Sequence, residues 1–348
     1  MKKKIARVSI GDIALASGDS KATVSYVLHN KPGPSQKTRE RVLETARRLG
    51  YTPDARINSW MARVRDAKAK DLLPIAWLNT NTVQDAWHKF AYLSPYRLGM
   101  EERCNQLGYR LEEIWTRQPG MTMQRISQIL YQRGIEGVVV TPHATHIRLQ
   151  WDKLAGVALG AELLAPRLHR VSIDGIFNLL LALKILKRFG YRRIGVCLSD
   201  AVDRCSSHVT SALVFHLATT TAESKLVPPL FIKGGSNGGA PPQKQVQAWM
   251  RTHQPDVIVC HDNHSVQWLE EAGYRVPQQV GVVHLALDDD VLDWAGIYSN
   301  KRAVGRTAAE LVISLVHNRQ FGVPTHALET IVRGTWQHGR TLLIPKPK

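Results

Sequence analysis

From Pro74 onward the chain alternates strand-length apolar runs with amphipathic stretches, and no other feature restricts its fold as tightly. The apolar runs fall at residues 75–78, 138–140, 157–159, 171–173, 194–198, 257–259 and 280–285. Between them, apolar side chains recur at helical spacing over residues 96–107, 123–132, 175–189, 206–217, 243–253 and 265–272. Strand-helix alternation implies parallel sheets covered by helices on both faces, and this many units implies two such sheets. Ligands of such sheets bind beyond the carboxyl ends of the strands.

Residues 9–51 have a different character. Ile10, Ile13 and Ala14 recur at helical spacing, Ser17-Gly18-Asp19 interrupts the pattern, and Ser20 opens a second helix carrying Val24, Val27 and Leu28 on one face. Gly18 can supply the positive φ of a tight turn, and Ser20 can cap the second helix. With the apolar residues turned inward, Lys21, Ala22, Ser25 and Tyr26 stand on the outer face, where a DNA-reading helix needs small or hydrogen-bonding side chains. Ser35 then caps a third helix with Val42, Leu43, Ala46 and Leu49 buried, and Gly50 ends it. An ordinary helical hairpin would share the periodicity but not the charge. Residues 1–70 hold 16 Lys and Arg against 6 Asp and Glu, so this fifth of the chain carries +10 of the total +17.

The 348 residues are 44% hydrophobic, as in a globular protein of two or three domains. A pI near 9.9 points to a polyanionic partner, nucleic acid or an acidic membrane surface. The longest apolar run, residues 176–185, includes Asn178 and Lys184 and falls well short of the roughly 20 residues that span a bilayer. Arg7, Ser9 and Asp12 leave no apolar signal region behind the first lysines. A cytoplasmic protein with no membrane partner is expected. Cys104, Cys197, Cys205 and Cys260 have no CxxC spacing, which suits buried free thiols in a reducing compartment.

The motifs of residues 10–53 resemble the headpiece of the lactose/galactose repressor (LacI/GalR) family. They are Asp12-Ile13-Ala14, Thr23-Val24-Ser25, Val27-Leu28, Ser35 with Thr38-Arg39, and Leu49-Gly50-Tyr51 with Pro53. The resemblance implies a recognition helix in the major groove of a palindromic double-stranded operator, bound by a homodimer. It places Lys21, Ala22 and Tyr26 at base-reading positions, and Ser20, Thr23, Ser25, His29 and Asn30 at phosphates. Tyr26 stands where the family most often has Arg, and His29 where it usually has Asn. Tyr offers one hydroxyl and a ring where Arg offers a bidentate grip, so the operator is expected to differ.

Residues 54–65 follow with Ile57, Trp60, Met61 and Val64 on one helical face. In the family this segment is a hinge helix that wedges a Leu into the minor groove, and Trp60 falls at that position. Ile57 or Met61 could insert instead, with Arg56 at a phosphate, or Trp60 could pack on the regulatory core. The domains are expected at residues 1–53 (all-α helix-turn-helix headpiece), 54–71 (hinge and linker) and 72–348 (effector binding and dimerisation).

The later match is looser. Val171-Ser172-Ile173-Asp174, Gly190-Tyr191-Arg192-Arg193-Ile194-Gly195, Gly273 with Val276-Pro277, and Val304-Gly305 with Ala308 resemble family motifs. They imply an α/β two-lobed, periplasmic-binding-protein-like (type I) domain whose chain crosses between lobes near residues 172, 300 and 323, within 170–174, 298–301 and 322–325. Effector-binding candidates at strand ends are Asn79, Asn81, Asp174, Arg204, His208, Asp262 and Asp288, with Thr80, His143, His146, Asp203, His261 and Asn263 nearby. Asp262 can accept from two hydroxyls at once. Arg204 comes slightly early for the family's ligand-gripping Arg, and His208 stands near its expected place. A lone His is more often structural than a ligand contact.

Enzyme chemistry finds little support. His143-x-x-His146 and His261-x-x-His264 lack zinc-hydrolase spacing, the Gly-rich residues 234–239 lack a following Lys-Ser/Thr, and Asp288-Asp289-Asp290 is most simply a solvated loop. No catalytic residues, metal or cofactor are expected. A transcription regulator, expected to repress, with a small sugar-like effector in the interlobe cleft fits the sequence best; the final residues carry no Leu heptads, favouring a dimer over a tetramer. The rival is a solute-binding or sugar-processing protein with a basic protein-contact region.

Overall fold

The computed structural model describes residues 8–28, 33–51, 72–142, 146–160, 165–220, 226–233 and 240–344. The chain forms two compact units, Met1–Asp71 and Leu72–Lys348. The expected hinge residues Arg56, Ile57, Trp60 and Met61, the loop residues His29 and Asn30, His143, and the Gly-rich residues 234–239 lie outside the described residues.

In the first unit α1 spans Ile10–Ser17, α2 Lys21–Leu28 and α3 Gln36–Arg48. The start of α1 is a reciprocal cap: Ser9 Oγ accepts from the Asp12 amide, and Asp12 Oδ2 accepts from the Ser9 amide at 2.8 Å. Its end is Gly18 at φ 71°, whose N–H bonds the Ala14 carbonyl. Ser20 and Ser35 accept from the amides of Thr23 and Thr38. Ile13, Ala14, Val24, Val27, Val42 and Ala46 close a small core. Burial of each larger aliphatic there contributes about 1.5–3 kcal/mol and each cap about 1 kcal/mol, so in so small a core the caps are a substantial share of stability.

The second unit opens with β1 (Leu73–Asn79), the short α4 (Ala86–Lys89), α5 (Ser94–Gln106), β2 (Tyr109–Trp115), α6 (Met123–Gln132), β3 (Gly137–Val140), β4 (Ala155–Leu159) and β5 (His169–Ile173). It continues with α7 (Gly175–Arg188), β6 (Ile194–Ser199), α8 (Asp200–Cys205), α9 (Val209–Thr220), β7 (Leu230–Ile232), α10 (Pro242–His253), β8 (Val257–Cys260), α11 (Ser265–Glu271), β9 (Gly281–Leu287) and β10 (Gly296–Tyr298). It ends with α12 (Lys301–His317), β11 (Glu329–Val332) and β12 (Thr335–Gln337).

Two six-stranded sheets result, ordered β11-β5-β4-β3-β1-β2 and β12-β10-β9-β8-β6-β7. Every pairing is parallel except β10 with β12. The two-sheet α/β expectation holds, and period-two alternation explains how each sheet fills both faces. Ile75 and Trp77 join one core with α5 and α12, while Ala76 and Leu78 join the opposite core with α6.

The chain leaves the first sheet after β5 for α7, returns after β10 for α12, and leaves again between β11 and β12. The third crossing is therefore at Arg333 and Gly334 and not near residue 323. The sequence hides it because β11 is an edge strand with Glu329, Thr330 and Ile331 exposed, so no apolar run announces it. The first and third crossings are tied together: Arg333 Nε lies 3.4 Å from Asp174 Oδ2, and the buried Asn178 accepts the Gly334 amide at 3.0 Å.

The helix expected over residues 206–217 starts later, as α9 at Val209, and a separate short helix, α8, precedes it over Asp200–Cys205. Ser207 and His208 adopt positive φ (51° and 61°) and break the chain between α8 and α9. Helices α5 and α12 pack closely because two glycines permit it. A Cβ on Gly99 would lie 2.0 Å from the Arg302 carbonyl oxygen, and one on Gly305 2.0 Å from that of Tyr96.

Candidate functional site

On the first unit the outer face of α2 is built by exclusion. Val24 and Val27 turn inward, which leaves Lys21, Ala22 and Tyr26 exposed and Thr23 and Ser25 half-buried beside them. Ser20 is exposed at the entry, where its hydroxyl is also 2.9 Å from that of Thr23. The turn before α2 is fastened to α3: Arg41 Nη2 reaches Asp19 Oδ1 at 2.6 Å, and this bond holds the Asp19 carboxyl below its usual range. Exposed Lys37, Arg47 and Arg48 on α3 add positive charge. A rigid convex helix face with one cation, one phenol and small neighbours suits the major groove, and surrounding lysines and arginines suit phosphates.

On the second unit the carboxyl ends of the strands gather the candidates. Asn79, at the end of β1, is buried and fully engaged. Its Nδ2 donates to the carbonyls of Val83 and Gln84 and to Glu113 Oε1 at 2.9 Å, and its Oδ1 accepts from the Asn81 amide and side chain. It shapes the loop after β1. Trp115 Nε1 holds the same loop through the Asn81 carbonyl, and Thr80 bonds Thr141 beyond β3. Glu113 is pushed up by burial, against the pull of Asn79 and Arg97. The Arg97 guanidinium is stacked 4.8 Å from the Trp87 ring.

In the second lobe Asp174 caps α7 by accepting the Phe177 amide at 2.9 Å, and Arg204 pairs with Asp200 on the surface. His208, in its left-handed conformation, is 2.7 Å through Nδ1 from the buried Asp203, which also accepts the Ser211 amide. Asp262 Oδ1 accepts from the His264 amide and lies 3.0 Å from His264 Nδ1. Asp288, expected on a solvated loop, is buried. Its Oδ1 accepts from Asn263 Nδ2 at 3.1 Å, and its Oδ2 is 3.6 Å from Nζ of the buried Lys301.

Two buried groups beside Asp288 escaped the sequence reading. Lys301, the first residue of α12, donates to the Ala286 carbonyl at 3.2 Å. His284, in mid-strand, accepts the Ala286 amide through Nδ1 at 3.2 Å. The signal was present: His284 is the one ionisable residue in Val282–Leu287, and Lys301 stands at a crossing just before an apolar helix. Burial pushes His284 down to about 4, and burial together with His284 and Lys301 pushes His261 down to about 3, so both imidazoles are neutral at pH 7. Burial likewise lowers Lys301 from its usual range, against the pull of Asp288 and Asp289. Among the described residues no cluster of His, Cys, Asp and Glu could hold a metal ion, and no helix is long and apolar enough to cross a membrane.

Residues 9–54 match the family described as "Bacterial regulatory proteins, lacI family", and residues 183–336 match "Periplasmic binding protein-like domain". This protein belongs to the LacI family. Its relatives include the HTH-type transcriptional regulator PtxS of Pseudomonas plecoglossicida, 26% identical over 94% of this chain and 96% of that protein. The ribose operon repressor of Haemophilus influenzae is 24% identical over 91% and 95%. Among solved structures, a transcriptional regulator CelR-cellobiose complex superposes with a TM-score of 0.59 at 18% identity, covering 96% of this chain and all of that one. The lac repressor dimer bound to operator and the anti-inducer ONPF gives 0.56 at 16%, over 97% and 100%. These two likenesses concern the fold. As a LacI-family member the chain is a DNA-binding transcriptional regulator: α1 and α2 are its helix-turn-helix, and the two-lobed unit is its effector-binding regulatory domain.

Proposed function

We infer that this regulator is a repressor that binds a palindromic operator as a homodimer in the cytoplasm and releases or grips it according to a small sugar-like effector in the interlobe cleft. The exposed face of α2 carries the reading: Lys21, Ala22 and Tyr26 point outward from a helix whose turn is capped by Ser20 and fastened by Asp19 and Arg41. Lys21, Ala22 and Tyr26 read bases. Ser20, Thr23, Ser25, His29 and Asn30 contact phosphates. The minor-groove wedge comes from Trp60, Ile57 or Met61, with Arg56 on the backbone.

On the effector side, His208, Asp262 and Asp288 are the contacts the geometry favours, with Asn81 across the cleft. Asn79, Asp174 and Arg204 act mainly by shaping the elements around them: Asn79 is buried holding the loop after β1, Asp174 caps α7 and Arg204 pairs with Asp200 on its own helix. An effector switches the protein only if it distinguishes two lobe arrangements. The crossing residues Asp174, Lys301 and Arg333 are where such a difference would be transmitted.

Fluorescence-anisotropy titration against a randomised set of operator-length duplexes tests the reading. Selection of one palindromic sequence, with affinity falling steeply as salt rises, is the expected result. Equal affinity for all sequences would sink it, as would retention of specific binding after removal of residues 1–71.

A further inference from the structure

Strands β8, β9 and β10 are neighbours in the second sheet, and the first residues beyond their carboxyl ends are His261, Asp288 and Ser299. Ligands of parallel sheets sit at such ends. Behind these residues are His284 and Lys301, both buried.

The hydrogen-bonding capacity of this group is unbalanced. An ammonium has three N–H donors, yet Lys301 makes one hydrogen bond, to the Ala286 carbonyl; the Asp288 carboxylate at 3.6 Å is beyond hydrogen-bond range. His284 accepts the Ala286 amide at Nδ1, so its proton resides on Nε2, and that N–H makes no close hydrogen bond, although the His261 backbone stands near enough to favour the ring's proton. The fully buried Ser299 hydroxyl and His261 Nδ1 have no hydrogen-bond partner. Asp288 meets part of the deficit as charge and not as a hydrogen bond: its Oδ1 serves Asn263, and its Oδ2 stands 3.6 Å from Lys301 Nζ. A buried cation, an imidazole N–H and a hydroxyl are thus short of acceptors. Orphan donors of this kind are costly unless a further group completes them.

We propose that this cluster is the deep end of the effector site and takes an oxyanion, a carboxylate or phosphate borne by a small sugar-like molecule. The assignment rests on the effector-binding reading above and sharpens its ligand class. A neutral hydroxyl would bring another proton to a site already rich in donors. Lys301 already faces the Asp288 carboxylate at 3.6 Å; what an oxyanion adds is several lone pairs within hydrogen-bond reach of these donors, and charge-assisted bonds of that kind are the stronger ones. Because Lys301 begins a helix packed on the first sheet while its Nζ is held at the second, an anion bound there engages both lobes.

The test uses full-length protein and thermal melting at constant ionic strength, with pentoses and hexoses each supplied as the neutral sugar, the sugar acid and the sugar phosphate. The expected result is a rise in Tm with one or more charged forms and not with their neutral parents. The acid and phosphate arms separate the two sources of charge. Lys301→Met should weaken the stabilising compound on the order of tenfold or more, and Lys301→Arg should restore part of it. A neutral sugar stabilising as well as its charged form overturns the proposal, as does a panel in which no charged member shifts Tm, or a Lys301→Met protein that binds unchanged. If Lys301→Met does not fold, the wild-type comparison of charged and neutral forms decides alone. Operator binding that persists and responds to a neutral sugar would leave the broader functional reading intact, whereas absence of specific operator binding would be that reading's own failure.

Discussion

Arg41 on the third headpiece helix grips Asp19 in the helix-turn-helix turn through two nitrogens, Nη2 to Oδ1 at 2.6 Å and Nε to Oδ2 at 3.3 Å. The pair fixes the angle at which α2 leaves the turn. Arg41 is half-exposed, so its strength is that of a solvated ion pair. Asp19→Asn should lower the headpiece melting transition by no more than a few degrees while weakening operator binding. Because Arg41 holds the Asp19 carboxyl low, its contribution is present above the ordinary carboxylate range and is lost as pH falls through the folded-state value. Melting curves at neutral and acidic pH should show the wild type and Asp19→Asn converging in acid; parallel curves would remove the pair from the stability account.

Tyr26 is exposed on the α2 face, with one hydroxyl and a ring to offer a base pair. Tyr26→Ala should flatten base preference at one operator position, by about 1 kcal/mol, more than it weakens binding to unrelated DNA. Competition titrations with single-base operator variants measure both. An equal loss on every sequence would make Tyr26 a phosphate or packing residue.

Gly305 permits the close approach of α12 to α5, because a Cβ there would lie 2.0 Å from the Tyr96 carbonyl oxygen. Backbone cannot yield as a flexible side chain can. Gly305→Ala should destabilise the regulatory unit by about 1–3 kcal/mol, the range for overpacking. Urea denaturation of the wild-type and Gly305→Ala full chains measures the loss, and coincident curves would contradict the close approach.

His284 is neutral in the folded chain, pushed down to about 4 mainly by burial, whereas an unfolded histidine titrates near 6.5. Between those values the unfolded state binds a proton that the folded state does not. Stability therefore falls as pH drops below about 6.5, reaching a loss on the order of 3 kcal/mol near pH 4 for this residue alone. His284→Gln keeps the shape and removes the titration. Chemical denaturation between pH 8 and pH 4 should show a shallower decline for His284→Gln, and identical slopes would contradict the assignment.

The sequence by itself determined everything that local periodicity and local chemistry control. Ser9, Ser20, Ser35 and Gly18 occupy caps and a turn whose partners lie within a few residues, and Ile13, Val24 and Val42 mark one face of each headpiece helix. The central strands of both sheets were legible because burial on two faces makes them continuous apolar runs. The strands that escaped notice were β10 and the four edges, β2, β11, β7 and β12, whose solvated sides break that pattern. Only the tertiary structure decided the rest. It moved the third crossing to Gly334, turned Asn79 inward to hold a loop, and buried Asp288 against Asn263 and Lys301. Each of these depends on side chains brought together from distant segments. Whether a polar residue meets water, a partner or a ligand is set by those neighbours, and sequence spacing carries no record of them.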